Sequence, residues 1–181
     1  NMNGLAHQVL HAKKMQAEGK DFKPVFGVEA YFIPSISEWR TEYDEARAKV
    51  KNKKEESQSG TTIEDEDASK KTVKDVLRRR AHLVLVVQNQ TGLNNLFKLI
   101  SESYKSENFY RYPRMDYALL EKYSEGIIAS SACLGGVYAQ DFWHSWETDD
   151  EGNRSFDREQ CLERMRTTTR RMQSIFGDRW Y

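Results

Sequence analysis

A nearly continuous apolar run from His82 to Val87 (HLVLVV) constrains the fold of this chain more than any other feature. A run of this length without alternating polar residues is typical of a strand that is covered on both faces, as in parallel sheets. Two further apolar runs, Phe22 to Phe32 and Ile127 to Ser131, also have the composition of strands. The sequence therefore predicts a sheet that includes these three segments.

Helical periodicity occurs between and around these strands. The spacing predicts a helix over 4–18 that ends at Gly19, and a second helix whose N-cap is Thr91. Asp116 is the expected cap of a short helix (YALLEKY), and a last helix is predicted to end at Gly177. Alternating helices and strands indicate an α/β fold with a mainly parallel sheet, either open or closed into a barrel.

One highly charged segment interrupts this pattern. From Glu38 to Arg80 the sequence has 12 basic, 11 acidic and only ten apolar residues, which is little apolar surface to offset the entropy of ordering the segment. Its first third keeps near-helical spacing and is expected to be a solvated helix, on the basis of Trp39, Tyr43, Ala46 and Val50. The middle is predicted to be a flexible loop. We assign 37–80 as a charged insertion and 1–36 plus 81–181 as the core.

Composition excludes several classes of protein. The 28 Lys and Arg residues balance 28 Asp and Glu residues, which argues against a compact, strongly basic nucleic-acid binder. No apolar run approaches the roughly 18 residues of a membrane span, and no secretory leader is evident. Cys133 and Cys161 lack metal-type CxxC spacing, so we expect free thiols in a reducing, cytoplasmic compartment.

Three polar residues lie in or beside the predicted strands. Glu29 interrupts the first apolar run, His82 opens the second and Cys133 follows the third. Carboxylate, imidazole and thiolate together suit zinc, so the three are candidates for part of a metal site. Each also has an ordinary structural interpretation: a solvent-facing or arginine-paired carboxylate, a strand-edge histidine and a buried thiol.

Longer motifs are more specific than these single residues. The chain carries, in order, Asn1 to Gly4 (NMNG), Lys23 to Pro34 (KPVFGVEAYFIP), His82 to Ser101 (HLVLVVQNQTGLNNLFKLIS), Phe109 to Asp116 (FYRYPRMD) and Leu119 to Gly136 (LLEKYSEGIIASSACLGG). Together they resemble the PHP (polymerase and histidinol phosphatase) domain of bacterial DNA polymerase III α subunits. The resemblance covers almost the whole chain except roughly 37–80, and the unusual insertion suggests a divergent, phage-encoded version.

The resemblance implies a distorted (β/α)7 barrel, here partial, with a metal cluster at one mouth. It places Glu29, His82 and Cys133 at three of nine positions that hold up to three metal ions, zinc or manganese, in members with an intact site. Arg114 also falls in a shared motif, and a phosphate contact is expected of it. The motifs that supply the other six ligands have no counterpart here, so we expect an internal segment of a longer chain that is inactive by itself.

For the parent protein, the resemblance implies DNA-directed DNA synthesis with magnesium. It also implies that the PHP domain acts as a metal-dependent 3′–5′ proofreading exonuclease, a structural platform, or both. Expected partners are primer-template DNA and replisome subunits such as the sliding clamp and clamp loader, with no membrane. Two alternatives remain open: a standalone PHP-type phosphoesterase acting on a small phosphomonoester, and a catalytically silent scaffold.

Overall fold

The computed structural model of the chain describes residues 2–56, 63–149 and 151–181, with the side chains of all of these except 53–56 and 63–70. The described residues form seven α-helices and seven strands, followed by a short 3₁₀ turn. In chain order they are α1 (Leu5–Ala17), β1 (Gly27–Phe32), α2 (Ile36–Glu56), α3 (Ile63–Arg78), β2 (Ala81–Val87), α4 (Gln90–Ser103), β3 (Phe109–Tyr110), β4 (Tyr112–Pro113), α5 (Tyr117–Tyr123), β5 (Ile127–Ser130), α6 (Val137–Trp143), β6 (Trp146–Thr148), β7 (Arg154–Phe156), α7 (Arg158–Phe176) and the turn Gly177–Arg179.

The main sheet has three strands in the order β1–β2–β5, and both pairs of neighbours are antiparallel. The mixed α/β class is confirmed, but the expectation of a mainly parallel sheet is wrong for the described strands. The apolar run from His82 to Val87 does lie in the central strand, β2. Such a run reports how well a strand is covered and carries no information about the direction of its neighbours.

The direction follows from how the chain returns to the sheet. The last residue of β1, Phe32, pairs with the first residue of β2, Ala81, so the chain leaves and re-enters the sheet at the same end. Two helices, α2 and α3, fill this connection. A single crossover helix would have delivered the chain to the opposite end and made the strands parallel. The second return is of the same kind, because Val87 at the end of β2 pairs with Ile127 at the start of β5.

One face of this sheet forms the main apolar core. Leu83, Leu85 and Ile127 have no exposed surface, and helices α4, α5 and α7 contribute further buried side chains. The opposite face is only partly covered, since Val84 and Val86 are half-buried and Glu29 is exposed. Alternation along the strands therefore separates an apolar face from a face on which polar groups remain accessible.

The charged segment is helical over most of its described length, and the helix predicted for its first third is present, although it is less solvated than expected. Helices α2 and α3 pack on each other, and Trp39, Tyr43 and Ala46 are all buried. Trp39 donates its Nε1–H to the carbonyl of Val76 at 2.8 Å. The predicted flexible middle, Ser57 to Gly60, lies outside the described residues. A few large side chains at helical spacing thus build a small core that average composition conceals.

Helix caps follow the sequence signals with one displacement. Asp116 caps α5 by accepting from the backbone N–H of Leu119 at 3.0 Å, as expected. The cap of α4 is Asn89, two residues before the predicted Thr91, and it accepts from Gly92 at 2.9 Å. Both asparagine and threonine are good N-caps, so spacing alone did not decide between them. Sequence reasoning also missed α6 and the two short hairpins β3–β4 and β6–β7.

In the part of the chain that the structure describes, no helix combines the length and apolar character that crossing a membrane requires.

Candidate metal centre

The register of β1 and β2 brings two of the predicted ligands together. Glu29 pairs with Val84 and Tyr31 pairs with His82, so Glu29 and His82 are diagonal neighbours on the same face of the sheet. Diagonal neighbours lie within reach of long side chains. Oε1 of Glu29 lies 2.5 Å from Nδ1 of His82.

The third predicted ligand, Cys133, comes from the turn that follows β5. Ala132 adopts a left-handed conformation with φ of 63°, which is uncommon for a residue with a side chain. The turn then docks on β2, because the backbone N–H of His82 donates to the carbonyl of Gly135 at 2.8 Å. A Cβ atom at Gly136 would lie 1.8 Å from the carbonyl oxygen of Ser131, so only glycine fits there.

This turn places the thiol beside the imidazole. Sγ of Cys133 lies 3.6 Å from Nδ1 of His82 and accepts a 3.4 Å hydrogen bond from the backbone N–H of Gly135. The ligand atoms of Glu29, His82 and Cys133 all lie within 4.8 Å of one another. Among the described residues this is the one group of three or more His, Cys, Asp or Glu side chains arranged to hold a metal ion.

The distance between the thiol and imidazole donors fits one tetrahedral zinc ion, whereas the distance between the carboxylate and imidazole donors is shorter than such an ion requires. Sulfur at about 2.3 Å and nitrogen at about 2.0–2.1 Å from a tetrahedral zinc are held about 3.6 Å apart, and the Sγ–Nδ1 distance is 3.6 Å. Oε1 of Glu29 lies closer to Nδ1 than two ligands of one zinc do, because it contacts the imidazole nitrogen directly. The Glu29 side chain is 52% exposed and is free to withdraw on binding.

Arg114, the expected phosphate contact, lies elsewhere and is fully buried. Its guanidinium donates to the carbonyls of Tyr110, Tyr112 and Leu77, and its Cζ lies 4.0 Å from the Trp39 ring centre. Burial lowers the pKa of Arg114 to about 10, so it stays charged at neutral pH. This environment gives Arg114 a structural role between α3 and the β3–β4 hairpin and leaves no exposed edge for a phosphate.

Three residues near the metal group were not identified from the sequence. The Tyr31 ring centre lies 5.6 Å from that of His82. The guanidinium of Arg80 lies over both Tyr31, at 4.7 Å, and Tyr112, at 4.3 Å. Two of them could have been identified from the sequence, because residues two positions apart in a strand lie on the same face. Tyr31 is two positions after Glu29, and Arg80 is two positions before His82.

A separate cleft of about 510 Å³ lies between α2, α6 and α7, and its lining does not include the three ligands. Burial shifts the pKa values of two residues of this cleft, Asp141 and His144, in opposite directions. Burial raises the pKa of the Asp141 carboxyl and lowers the pKa of the His144 imidazole, which Arg164 lowers further. Both positive and negative side chains line the cleft, so its charge does not select one class of ligand.

The sequence pattern of the PHP domain matches this chain over residues 1–181. The chain belongs to the PHP family.

Relatives with PHP regions similar to this one are subunits of bacterial DNA polymerases. The chain is 39% identical over 127 residues, 69% of its length, to "DNA polymerase III subunit alpha" of Aquifex aeolicus. It is 55% identical over 56 residues, 31% of its length, to the protein of the same name from Borreliella burgdorferi. It is 45% identical over 76 residues, 42% of its length, to "DNA polymerase III PolC-type" of Staphylococcus saprophyticus. The matched regions span 8%, 5% and 5% of these relatives, respectively.

Membership of the PHP family gives the Glu29, His82 and Cys133 group a chemical context. PHP domains are metal-dependent, and this group offers a set of donors that suits a divalent metal. The structure thus brings together all three ligands predicted from the sequence, while Arg114 lies apart from them in a buried structural position.

Proposed function

We propose that this chain is the PHP region of a replicative polymerase of the DNA polymerase III type, and that Glu29, His82 and Cys133 contribute ligands to its metal site. The observation that carries the metal site is the convergence of three different donor groups within 4.8 Å, from two strands and a constrained turn. Similarity to both the alpha subunits and the PolC-type enzymes supports the assignment to replication.

The metal is zinc or manganese, with up to three ions when the full set of ligands is present. The surrounding residues prepare the donors. The backbone N–H of Gly135 donates to Sγ of Cys133, which orients the sulfur. The carboxylate of Glu29 lies against Nδ1 of His82 and orients the ring. The Gly135 contact holds the thiol in place, whereas the carboxylate of Glu29 withdraws from Nδ1 when an ion binds.

The reaction at this site is hydrolysis of a phosphoester, and in the polymerase it is 3′–5′ proofreading of the primer. When bound, the metal supplies Lewis acidity toward a phosphoryl oxygen. His82 is 30% exposed and Glu29 is 52% exposed, so a terminal nucleotide can approach the donors from solvent. The open, partly polar face of the sheet is what allows this approach.

The wider architecture is part of the same proposal. The half-covered face of the β1–β2–β5 sheet lines the interior of a distorted (β/α)7 barrel, and residues 37–80 form its insertion. In the parent polymerase, DNA synthesis uses magnesium held by other residues. Primer-template DNA, the sliding clamp and the clamp loader are its partners in the cytoplasm. The antiparallel pairs described above are the strands of this barrel nearest the metal.

Metal analysis tests the site. The protein is loaded with zinc or manganese, dialysed and measured by mass spectrometry, alone and as the Glu29→Ala, His82→Ala and Cys133→Ala variants. Since even an outer partner of a ligand is worth about 10–100-fold in metal affinity, we expect each variant to lose at least that much. His11→Ala, which removes an exposed histidine from α1, is the matched control and should bind as the wild type does.

The activity is measured in the full-length polymerase that carries this region, with a 3′-labelled, mismatched primer. Cys133→Ala should abolish removal of the terminal nucleotide and leave DNA synthesis intact. Metal binding without exonuclease activity would instead identify a silent scaffold. Hydrolysis of a small phosphomonoester by a parent protein that lacks DNA synthesis would identify a standalone phosphoesterase.

A further inference from the structure

Arg80 occupies an unusual position immediately before β2. Its guanidinium contacts two tyrosine rings that are perpendicular to each other, 4.7 Å from the centre of Tyr31 and 4.3 Å from the centre of Tyr112. Its Nη1 donates to the carbonyl of Arg78 at 2.9 Å. These contacts restrict the guanidinium, so part of its rotamer entropy is already lost before it binds a ligand.

The charge of Arg80 is not neutralised by its surroundings. No carboxylate pairs with it among the described side chains, and its buried Nε has no hydrogen-bond partner there. The nearest charge that acts on the same cluster is another cation, the buried Arg114, on which Arg80 exerts a repulsive effect. Uncompensated cations of this kind are costly, and an anion that binds there would relieve the cost.

The cleft between α2, α6 and α7 includes Arg80 in its lining, and Arg80 is also connected to the metal group through Tyr31. It is two positions before His82, and its stacking partner Tyr31 lies on the sheet face that carries Glu29. The Tyr31 ring in turn contacts the His82 ring, with a centre-to-centre distance of 5.6 Å. The guanidinium is thus two ring contacts away from a proposed metal ligand, on the accessible face of the sheet.

We propose that Arg80 is a substrate-positioning residue that binds a phosphate group of the nucleotide held at the Glu29, His82 and Cys133 site. The inference rests on the proposed function, since it takes the substrate to be a phosphoester. A guanidinium presents a rigid fork of N–H donors that matches two phosphate oxygens at once. Tyr31 and Tyr112 hold this fork in place, and the adjacent ligands hold the group that reacts.

The test measures binding of thymidine 5′-monophosphate by calorimetry, first to metal-free protein and then to zinc-loaded protein. We expect Arg80→Gln to weaken binding about tenfold or more in both forms, because a charge-assisted contact is lost. Arg80→Lys should recover part of the affinity, since it restores the charge without the fork. Arg47→Gln is the matched control: Arg47 lies 5.8 Å from the Tyr43 ring centre, on α2, and its removal should change nothing.

Zinc affinity is measured on the same variants to separate this inference from the proposed function. Unchanged zinc binding in Arg80→Gln, together with weaker nucleotide binding, supports the inference. Equal nucleotide affinity in Arg80→Gln and wild type overturns it, whether or not zinc binds. If the wild type binds no zinc while nucleotide binding still depends on Arg80, the metal site fails and the phosphate contact stands.

Discussion

The sheet and the pair of helices α2 and α3 each have a buried core, yet the two cores are built from opposite kinds of sequence. The sheet core comes from nearly continuous apolar runs, and Leu83, Leu85 and Ile127 have no exposed surface. The helix pair comes from a segment with only ten apolar residues in 43, and its small core centres on Trp39 and Tyr43. Position along a helix therefore matters more for burial than the average polarity of a segment.

The contact between the sheet core and the helix pair relies on polar side chains, unlike the packing within the sheet core. Arg114 lies under the helix pair with zero exposure. Its Nη1 and Nη2 donate to carbonyls of the β3–β4 hairpin and of α3, and its Cζ contacts the ring of Trp39, while its Nε has no partner among the described residues. Asp116 links the regions a second time, since its two oxygens accept from Ile36 at the start of α2 and from Leu119 in α5. The sheet is held by apolar packing, whereas the helix pair is attached to it by partly buried polar contacts together with Leu119, which packs against both cores.

The largest expected effect tests the apolar side of this comparison. Leu85→Ala should lower the free energy of unfolding by about 3 kcal/mol, because it removes a fully buried side chain and leaves a cavity. Urea denaturation followed by circular dichroism measures the change. Leu134→Ala is the control: Leu134 is 91% exposed, so its loss should stay within about 0.5 kcal/mol. Equal effects of the two changes would contradict a core centred on this sheet.

The next effect tests the polar attachment. Arg114→Met should lower the free energy of unfolding by about 2–3 kcal/mol, because the change leaves buried carbonyls of Tyr110 and Leu77 without their donor. The measurement is urea denaturation monitored by tryptophan fluorescence, since Trp39 loses its cation. Arg111→Met removes an exposed neighbouring arginine and serves as the control. A stabilising Arg114→Met would show that desolvation of the guanidinium outweighs its hydrogen bonds.

The smallest expected effect on stability compares two helix N-caps. Asp157 acts only as a cap, whereas Asp116 also joins the sheet core to the helix pair. Asp157 caps α7 through one contact, to Gln160, whereas Asp116 accepts from both Leu119 and Ile36. Asp157→Ala should cost about 1 kcal/mol, the usual value of an N-cap. Asp116→Ala should cost about 1 kcal/mol more, for the second hydrogen bond. Thermal denaturation of both variants measures the difference. An identical loss of stability in the two variants would show that Asp116 does not stabilise the contact between the two regions.

Much of the sheet and of the candidate site could be predicted from sequence because both depend on local pattern. Apolar runs located β1, β2 and β5, and polar residues in or beside them identified Glu29, His82 and Cys133. The direction of the strands could not be predicted in this way. It depends on how each connection returns the chain to the sheet. The high charge of α2 and α3 concealed the number of helices between β1 and β2, whereas between β2 and β5 both helices were predicted and their number alone did not reveal the direction.

The roles of individual arginines also could not be predicted from the local sequence pattern. Arg114 was expected at a phosphate and Arg80 was not singled out, yet Arg114 is buried and Arg80 lies beside the metal group. Whether a guanidinium donates to backbone carbonyls or faces a site depends on what the fold places around it. Residues distant in sequence, such as Leu77 for Arg114 and Tyr31 for Arg80, decide this.

The pairing of Phe32 with Ala81 has a consequence for how such a domain can change over evolutionary time. Antiparallel partners lie only about 5 Å apart, so the segment between them is attached to the sheet at two adjacent points, like an enlarged hairpin loop. Doubling the length of a loop costs only about 0.6 kcal/mol of closure entropy. Helices α2 and α3 can therefore lengthen, shorten or be exchanged for a tight turn without moving a residue of the sheet, provided that Nη2 of Arg114, which then loses the carbonyl of Leu77, donates to water instead.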